Sequence, residues 1–156
     1  MDRRAAIRIA WVLALALTAP GMVLAGDEGK IPAGTKDLRP ASELRWEPMP
    51  GLDGAQQAPL WGDPAKGPHG ILYKWKGGLS APLHTHTNGD RGVIVSGVLT
   101  LAVYGETPKN LKAGSYFSMS GGTKHTTSCK AGADCVFFVH REGMFDATMV
   151  DAKAKQ

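Results

Sequence analysis

Three imidazoles and one carboxylate in this 156-residue chain are spaced as ligands for a metal ion. His84 and His86 are separated by a single residue. On an extended strand side chains alternate between faces and each residue advances about 3.3 Å, so both rings point the same way, about 6.6 Å apart. They form a chelating pair. Asp90 follows across Thr87-Asn88-Gly89 at the head of an apolar run, where it can project to the same face, and His125 arrives on a later segment after Gly121-Gly122-Thr123-Lys124. Two imidazoles, a carboxylate and a third imidazole can close around a divalent cation at about 2.0 to 2.2 Å. One ion at His84, His86, Asp90 and His125 is therefore expected, and the donor set suits Fe, Mn, Ni or Zn without choosing among them. An H-x-H pair alone is common on ordinary strands, so the combination carries the weight. By contrast His69, within Pro68-His69-Gly70, reads as an exposed turn residue.

The elements that must position these residues are short strands. From residue 70 onward the pattern has period two: Ile71, Tyr73 and Trp75 alternate with Leu72, Lys74 and Lys76, and Gly92 to Ser96, Leu99 to Tyr104 and Cys135 to His140 are rich in β-branched or aromatic residues. Between them stand Gly77-Gly78, Asn88-Gly89, Gly105, Gly114, Gly121-Gly122 and Gly132, and no run of ten or more residues shows a helical face. The 20 glycines and 10 prolines lack a three-residue period, so they mark turns rather than collagen. An all-β antiparallel sandwich or barrel follows. Trp46 and Trp61 read as edge-strand or lid residues. Tyr73, Trp75, Phe117 and Met119 read first as core and second as substrate contacts, because imidazoles and a carboxylate with apolar walls suit a small organic ligand.

The full spacing is Gly78-x5-His84-x-His86-x3-Asp90-x6-Gly97, then 16 residues, then Gly114-x5-Ser120-x-Gly122-x2-His125-x3-Cys129. It resembles the paired motifs of the cupin superfamily, G-x5-H-x-H-x3,4-E-x6-G and G-x5-P-x-G-x2-H-x3-N, with every glycine and histidine in place. Flanking strands extend the resemblance over roughly residues 60 to 147. Leu60-Trp61-Gly62-Asp63-Pro64 and the His-Thr-His-Thr to Arg-Gly-Val stretch are most similar to ChrR-like cupins of exported proteins. The resemblance implies a single small antiparallel jelly-roll barrel with His84, His86 and His125 as ligands and Asp90 as the fourth; it also implies a homodimer. Three positions depart from the motifs. Asp90 replaces Glu and is one methylene shorter, so it binds the metal directly, binds it through water, or leaves a three-histidine site. Ser120 replaces Pro, and Cys129 replaces Asn. The Cys/His-rich zinc domain through which some ChrR-like proteins bind sigma factors is missing.

Domain organisation follows from the ends. Arg3, Arg4 and Arg8 precede an apolar run from Ile9 to Leu17, and Ala25 offers a small-residue cleavage site, so residues 1–25 read as a secretory signal. The run is broken by Pro20-Gly21 well short of the roughly 20 residues a membrane span needs, so no stable membrane anchor is expected. Residues 26–45 read as a flexible arm and 46–150 as the cupin domain; periplasmic or secreted localisation follows. Loss of Asp2, Arg3, Arg4 and Arg8 lowers the formal charge of +4 to +2. The remaining Lys and Arg are scattered without interleaved aromatics, which argues against nucleic acid as a partner. In an oxidising compartment Cys129 and Cys135, with five residues between them, can face each other on a hairpin and form a cross-strand disulfide. That register sets His125 opposite Val139 and turns His140 to the other face, so His140 is not a ligand. The competing reading keeps Cys129 as a free thiol near the metal. For function, two classes stand: a mononuclear metal-dependent enzyme, dioxygenase-type, acting on a small organic substrate, and a non-catalytic metal-dependent binding or sensing module. A barrel that holds metal only for stability is a third.

Overall fold

The computed structural model describes residues 33–151; the signal segment lies outside them. The alternating runs form eleven strands: β1 (Glu47–Pro48), β2 (Ala55–Gly62), β3 (His69–Trp75), β4 (Ser80–Thr85), β5 (Asp90–Ser96), β6 (Val98–Val103), β7 (Lys109–Lys112), β8 (Tyr116–Met119), β9 (His125–Cys129), β10 (Cys135–Arg141) and β11 (Thr148–Met149). They build a six-stranded sheet in the order β1-β2-β3-β10-β5-β8 and a five-stranded sheet in the order β11-β4-β9-β6-β7. Every pairing is antiparallel. This is the two-sheet jelly roll of the cupin fold. Among the described residues the helical element is a 3₁₀ turn at Ala41–Glu43, and no helix is long and apolar enough to cross a membrane. Residues 33–43 of the arm are exposed, and Arg39 donates to the carbonyls of Pro59 and Leu60 on β2.

The period-two pattern sends one face of each long strand between the sheets. Along β10 the inward residues are Cys135, Phe137, Val139 and Arg141; along β9 they are Cys129, Thr127 and His125; along β5 they are Ile94, Gly92 and Asp90. Each strand therefore passes from an apolar end to a polar one. At the apolar end Ile71, Trp75, Ile94, Leu99 and Phe137 are buried together, and the Phe137 ring lies 5.4 Å from Tyr73 and 5.6 Å from Trp75. Burial of such side chains at about 25 cal/mol per Å² of apolar surface supplies the main drive for the two sheets to pack. The polar end carries the site.

Several expectations are corrected here. Cys129 and Cys135 are bridged, with Cα atoms 5.7 Å apart, but not across a hairpin. β9 lies between β4 and β6 whereas β10 lies between β3 and β5, so the chain changes sheets between the two cysteines and the disulfide ties one sheet to the other. The register that placed His125 opposite Val139 does not form: His125 faces His84 and Val103, and Val139 faces Ile71 and Gly92. His140 still points away from the interior, through the alternation of β10, and its ring lies 5.4 Å from Trp61. The free-thiol reading of Cys129 falls with the bridge. His69 is fully buried as the first residue of β3, not exposed in a turn. Pro68 ends the turn one residue earlier than its composition implies, and His69 Nδ1 hydrogen-bonds the Gly67 carbonyl at 2.9 Å. Trp61, 42% exposed, covers Gly70 from outside, where a Cβ would come within 2.2 Å of its indole nitrogen.

Candidate metal centre

The centre is built from the end of β4 and the turn beyond it, the start of β9 and the loop after β10. Register sets His84 of β4 directly opposite His125 of β9. His86 lies just past the end of β4, where its carbonyl accepts a hydrogen bond of 2.8 Å from the Gly122 N–H. Gly122 has φ of +79°, a left-handed conformation open to glycine at no steric cost, and this turn brings the second motif against the first. The ring centroids of His84 and His125 are 4.3 Å apart, those of His84 and His86 4.8 Å, and those of His86 and His125 5.3 Å. One nitrogen from each ring lies within 4.8 Å of the other two.

Hydrogen bonding decides which nitrogen each ring offers. His84 Nδ1 bonds the Pro82 carbonyl at 2.7 Å, His125 Nδ1 bonds the Thr123 carbonyl at 2.9 Å, and His86 Nδ1 bonds the Asp146 carbonyl at 2.5 Å. A carbonyl only accepts, so each Nδ1 carries the proton and each Nε2 keeps a free lone pair. Such carbonyl partners fix the tautomer and orientation of metal-binding imidazoles. Burial pushes the His84 pKa below its ordinary value, and burial together with the Arg141 charge pushes that of His86 down to about 4. Both rings are neutral at physiological pH, the form that binds a cation. Asp146 is itself anchored: its carboxylate accepts the Thr87 N–H at 2.9 Å and the Thr87 hydroxyl, bonds that lower its pKa. Three imidazoles, each with Nδ1 on a carbonyl and Nε2 left to act as ligand, fit a divalent ion.

Asp90 occupies the position of the motif's carboxylate but is not one of the three residues whose donor atoms converge. It pairs in register with Arg141 across β5 and β10, and its Oδ2 accepts from Arg141 Nη2 at 2.8 Å. Both side chains are buried, at 6% and 3% exposure. The sequence pattern ends this strand at His140, whereas β10 runs on to Arg141. The signal was available: Cys135, Phe137, Val139 and Arg141 share one parity, and an arginine on an inward face must find a partner. Phe145 and Asp146 carried no such signal, since they act from a loop whose course depends on the whole barrel.

The site opens on a cavity of about 490 Å³. Tyr73, Trp75, Phe117 and Met119 all line it while also belonging to the core or packing on it. Burial pushes the Tyr73 hydroxyl pKa up to about 12.

Residues 36–148 match the family described as a domain of unknown function, DUF4437. The chain belongs to the DUF4437 family. No curated protein matches this DUF4437 member. Among solved structures it is similar to the polyketide cyclase RemF from Streptomyces resistomycificus, 16% identical with a TM-score of 0.63 over 77% of this chain and 89% of that one. An RmlC-like cupin protein from Ralstonia eutropha JMP134 is 22% identical, with a TM-score of 0.62 over 76% and 74%. The DMSP lyase DddQ from Ruegeria pomeroyi DSS-3 is 16% identical with a TM-score of 0.59 over 73% of this chain, which spans 64% of the lyase. These likenesses place the DUF4437 chain in the cupin fold.

Proposed function

We propose that the protein is an exported, single-domain metal-binding cupin and a mononuclear metal-dependent enzyme, dioxygenase-type, acting on a small organic substrate. The observation that carries this reading is the trio His84, His86 and His125, each with Nδ1 held by a carbonyl and Nε2 free, on the wall of a cavity of about 490 Å³. A bound Fe, Mn, Ni or Zn ion would supply a Lewis acid with open positions for dioxygen, water or substrate. The chain's own residues orient the imidazoles through their Nδ1 hydrogen bonds, exclude water with Tyr73, Trp75, Phe117 and Met119, and keep the Asp90 carboxylate against Arg141 and away from the ion. Catalysis on small molecules by similar folds, in the polyketide cyclase and the DMSP lyase, supports the enzymatic form. Residues 1–25 support export, and the Cys129–Cys135 bridge suits an oxidising compartment. Leu60 to Pro64 and the histidine segment support ChrR-like kinship, and exposed Val93, Val95 and Tyr116 support a homodimer.

The test is oxygen consumption by protein reconstituted separately with Fe(II) and Zn(II), across a panel of enols and phenols. Uptake with iron alone supports the dioxygenase; its absence on every substrate removes that form. One observation favours the second reading, a binding or sensing module. With the three Nε2 atoms committed to the ion, the other acid–base side chains on the cavity wall are Asp90, tied to Arg141, and Tyr73, whose pKa burial pushes up to about 12, so no free general base stands beside the centre. Metal-loaded protein that binds such a compound and never turns it over would decide for the module.

A further inference from the structure

Arg141 is the most unusual side chain in the cavity. It is 97% buried by residue yet forms part of the cavity wall, and its one hydrogen bond among the described residues goes from Nη2 to Asp90. Nε and Nη1 are buried without a partner, and so is Oδ1 of Asp90. A buried cation whose donors are left unmade loses hydration it does not recover. Folding retains such a group most readily where a ligand completes it.

We infer that Arg141 anchors the carboxylate of the substrate, so that the proposed enzyme takes a small organic monocarboxylic acid with an apolar body. The inference rests on the reading of this cavity as a substrate site and names the class of molecule. Unpartnered Nε and Nη1 lie on different edges of the guanidinium, so each edge offers one further N–H donor to a carboxylate oxygen, a charge-assisted hydrogen bond. Asp90 already neutralises the guanidinium, so a ligand carboxylate is held by the unmade hydrogen bonds rather than by net charge, and a phosphate dianion beside the Asp90 carboxylate is repelled. The unpartnered Oδ1 of Asp90 adds an acceptor next to these donors, suited to a hydroxyl on the same acid. Position ties the anchor to the metal ligands: the Phe145 ring centroid is 4.8 Å from Arg141 Cζ and 5.8 Å from the His86 ring centroid. With one aromatic ring between them, a molecule a few carbons long held at Arg141 lies before the three imidazoles. Tyr73, Trp75 and Phe117 then enclose its apolar part.

The experiment titrates benzoate, its neutral isostere benzamide, and phenyl phosphate into the metal-loaded full mature chain by calorimetry, with metal content measured on each sample. Benzoate should bind at one site and at least roughly tenfold tighter than either other probe, a difference in keeping with charge-assisted hydrogen bonds. Arg141→Gln should remove that preference while metal stays stoichiometric. Because that variant can fail to fold, Asp90→Asn is the second arm: it keeps the guanidinium, removes the competing negative charge, and should tighten benzoate by roughly tenfold. Equal binding of benzoate and benzamide, tighter phenyl phosphate, benzoate binding unaltered in Arg141→Gln, or weaker benzoate in Asp90→Asn would each overturn the inference. Protein that holds metal but shows no benzoate preference loses only the carboxylate anchor. Protein that holds no metal yet prefers benzoate through Arg141 loses the metal centre instead, so the two failures are distinguishable.

Discussion

At the scale of single residues, Asp90 shows how one methylene and one neighbour set a role. Glutamate in this position would reach further from β5, whereas Asp90 is drawn to Arg141 at 2.8 Å. Asp90→Asn should therefore keep stoichiometric metal while lowering the melting temperature, because it leaves a buried guanidinium without its counter-ion, a loss on the scale of about 3 kcal/mol. Elemental analysis beside a thermal melt checks both halves; loss of metal would make Asp90 a ligand. Tyr73 gives a pH signature of its own. Its folded pKa, raised by burial to about 12 from an ordinary 10.0, lies above its unfolded value. The unfolded state thus releases this proton first, and the stability Tyr73 contributes is fully present below pH 10 and drains away as pH rises toward 12. Tyr73→Phe should flatten the alkaline fall in melting temperature between pH 10 and 12 relative to wild type.

At the scale of elements, the disulfide acts between sheets. Cys129 ends β9 and Cys135 begins β10, strands that belong to different sheets. Closing so short a loop limits the entropic gain to about 2 kcal/mol. Reduction, or Cys129→Ala with Cys135→Ala, should cost about that much in a denaturant titration, with metal content unchanged because His125 lies at the other end of β9. The strands themselves, the turns and the His84, His86, His125 set were legible in sequence, because period-two burial and motif spacing are local properties of the chain. Strand partners were not. Local spacing cannot tell a hairpin from a crossover, which is why Cys129 and Cys135 suggested a pairing of β9 with β10 that does not exist. The same limit hid Asp146, whose carbonyl reaches His86 only after the loop beyond β10 folds back. His69 misled for a different reason, since Pro68 and Gly70 suggest a turn while the strand begins between them.

At the scale of the whole molecule, the jelly roll separates stability from chemistry. The apolar end of the barrel carries the disulfide and much of the core, and the polar end presents three imidazoles, a carboxylate and a guanidinium to one cavity. Export belongs to this scale too: N-terminal sequencing of the mature protein should return Gly26, and recovery of Met1 from a membrane fraction would contradict it. The central claim is that His84, His86 and His125 hold one divalent ion. The most direct measurement is elemental analysis of the protein purified from its native compartment, alongside the His84→Ala/His125→Ala double variant. One equivalent of metal in the wild type and none in the folded double variant is the predicted result; unchanged metal content in the double variant would contradict it.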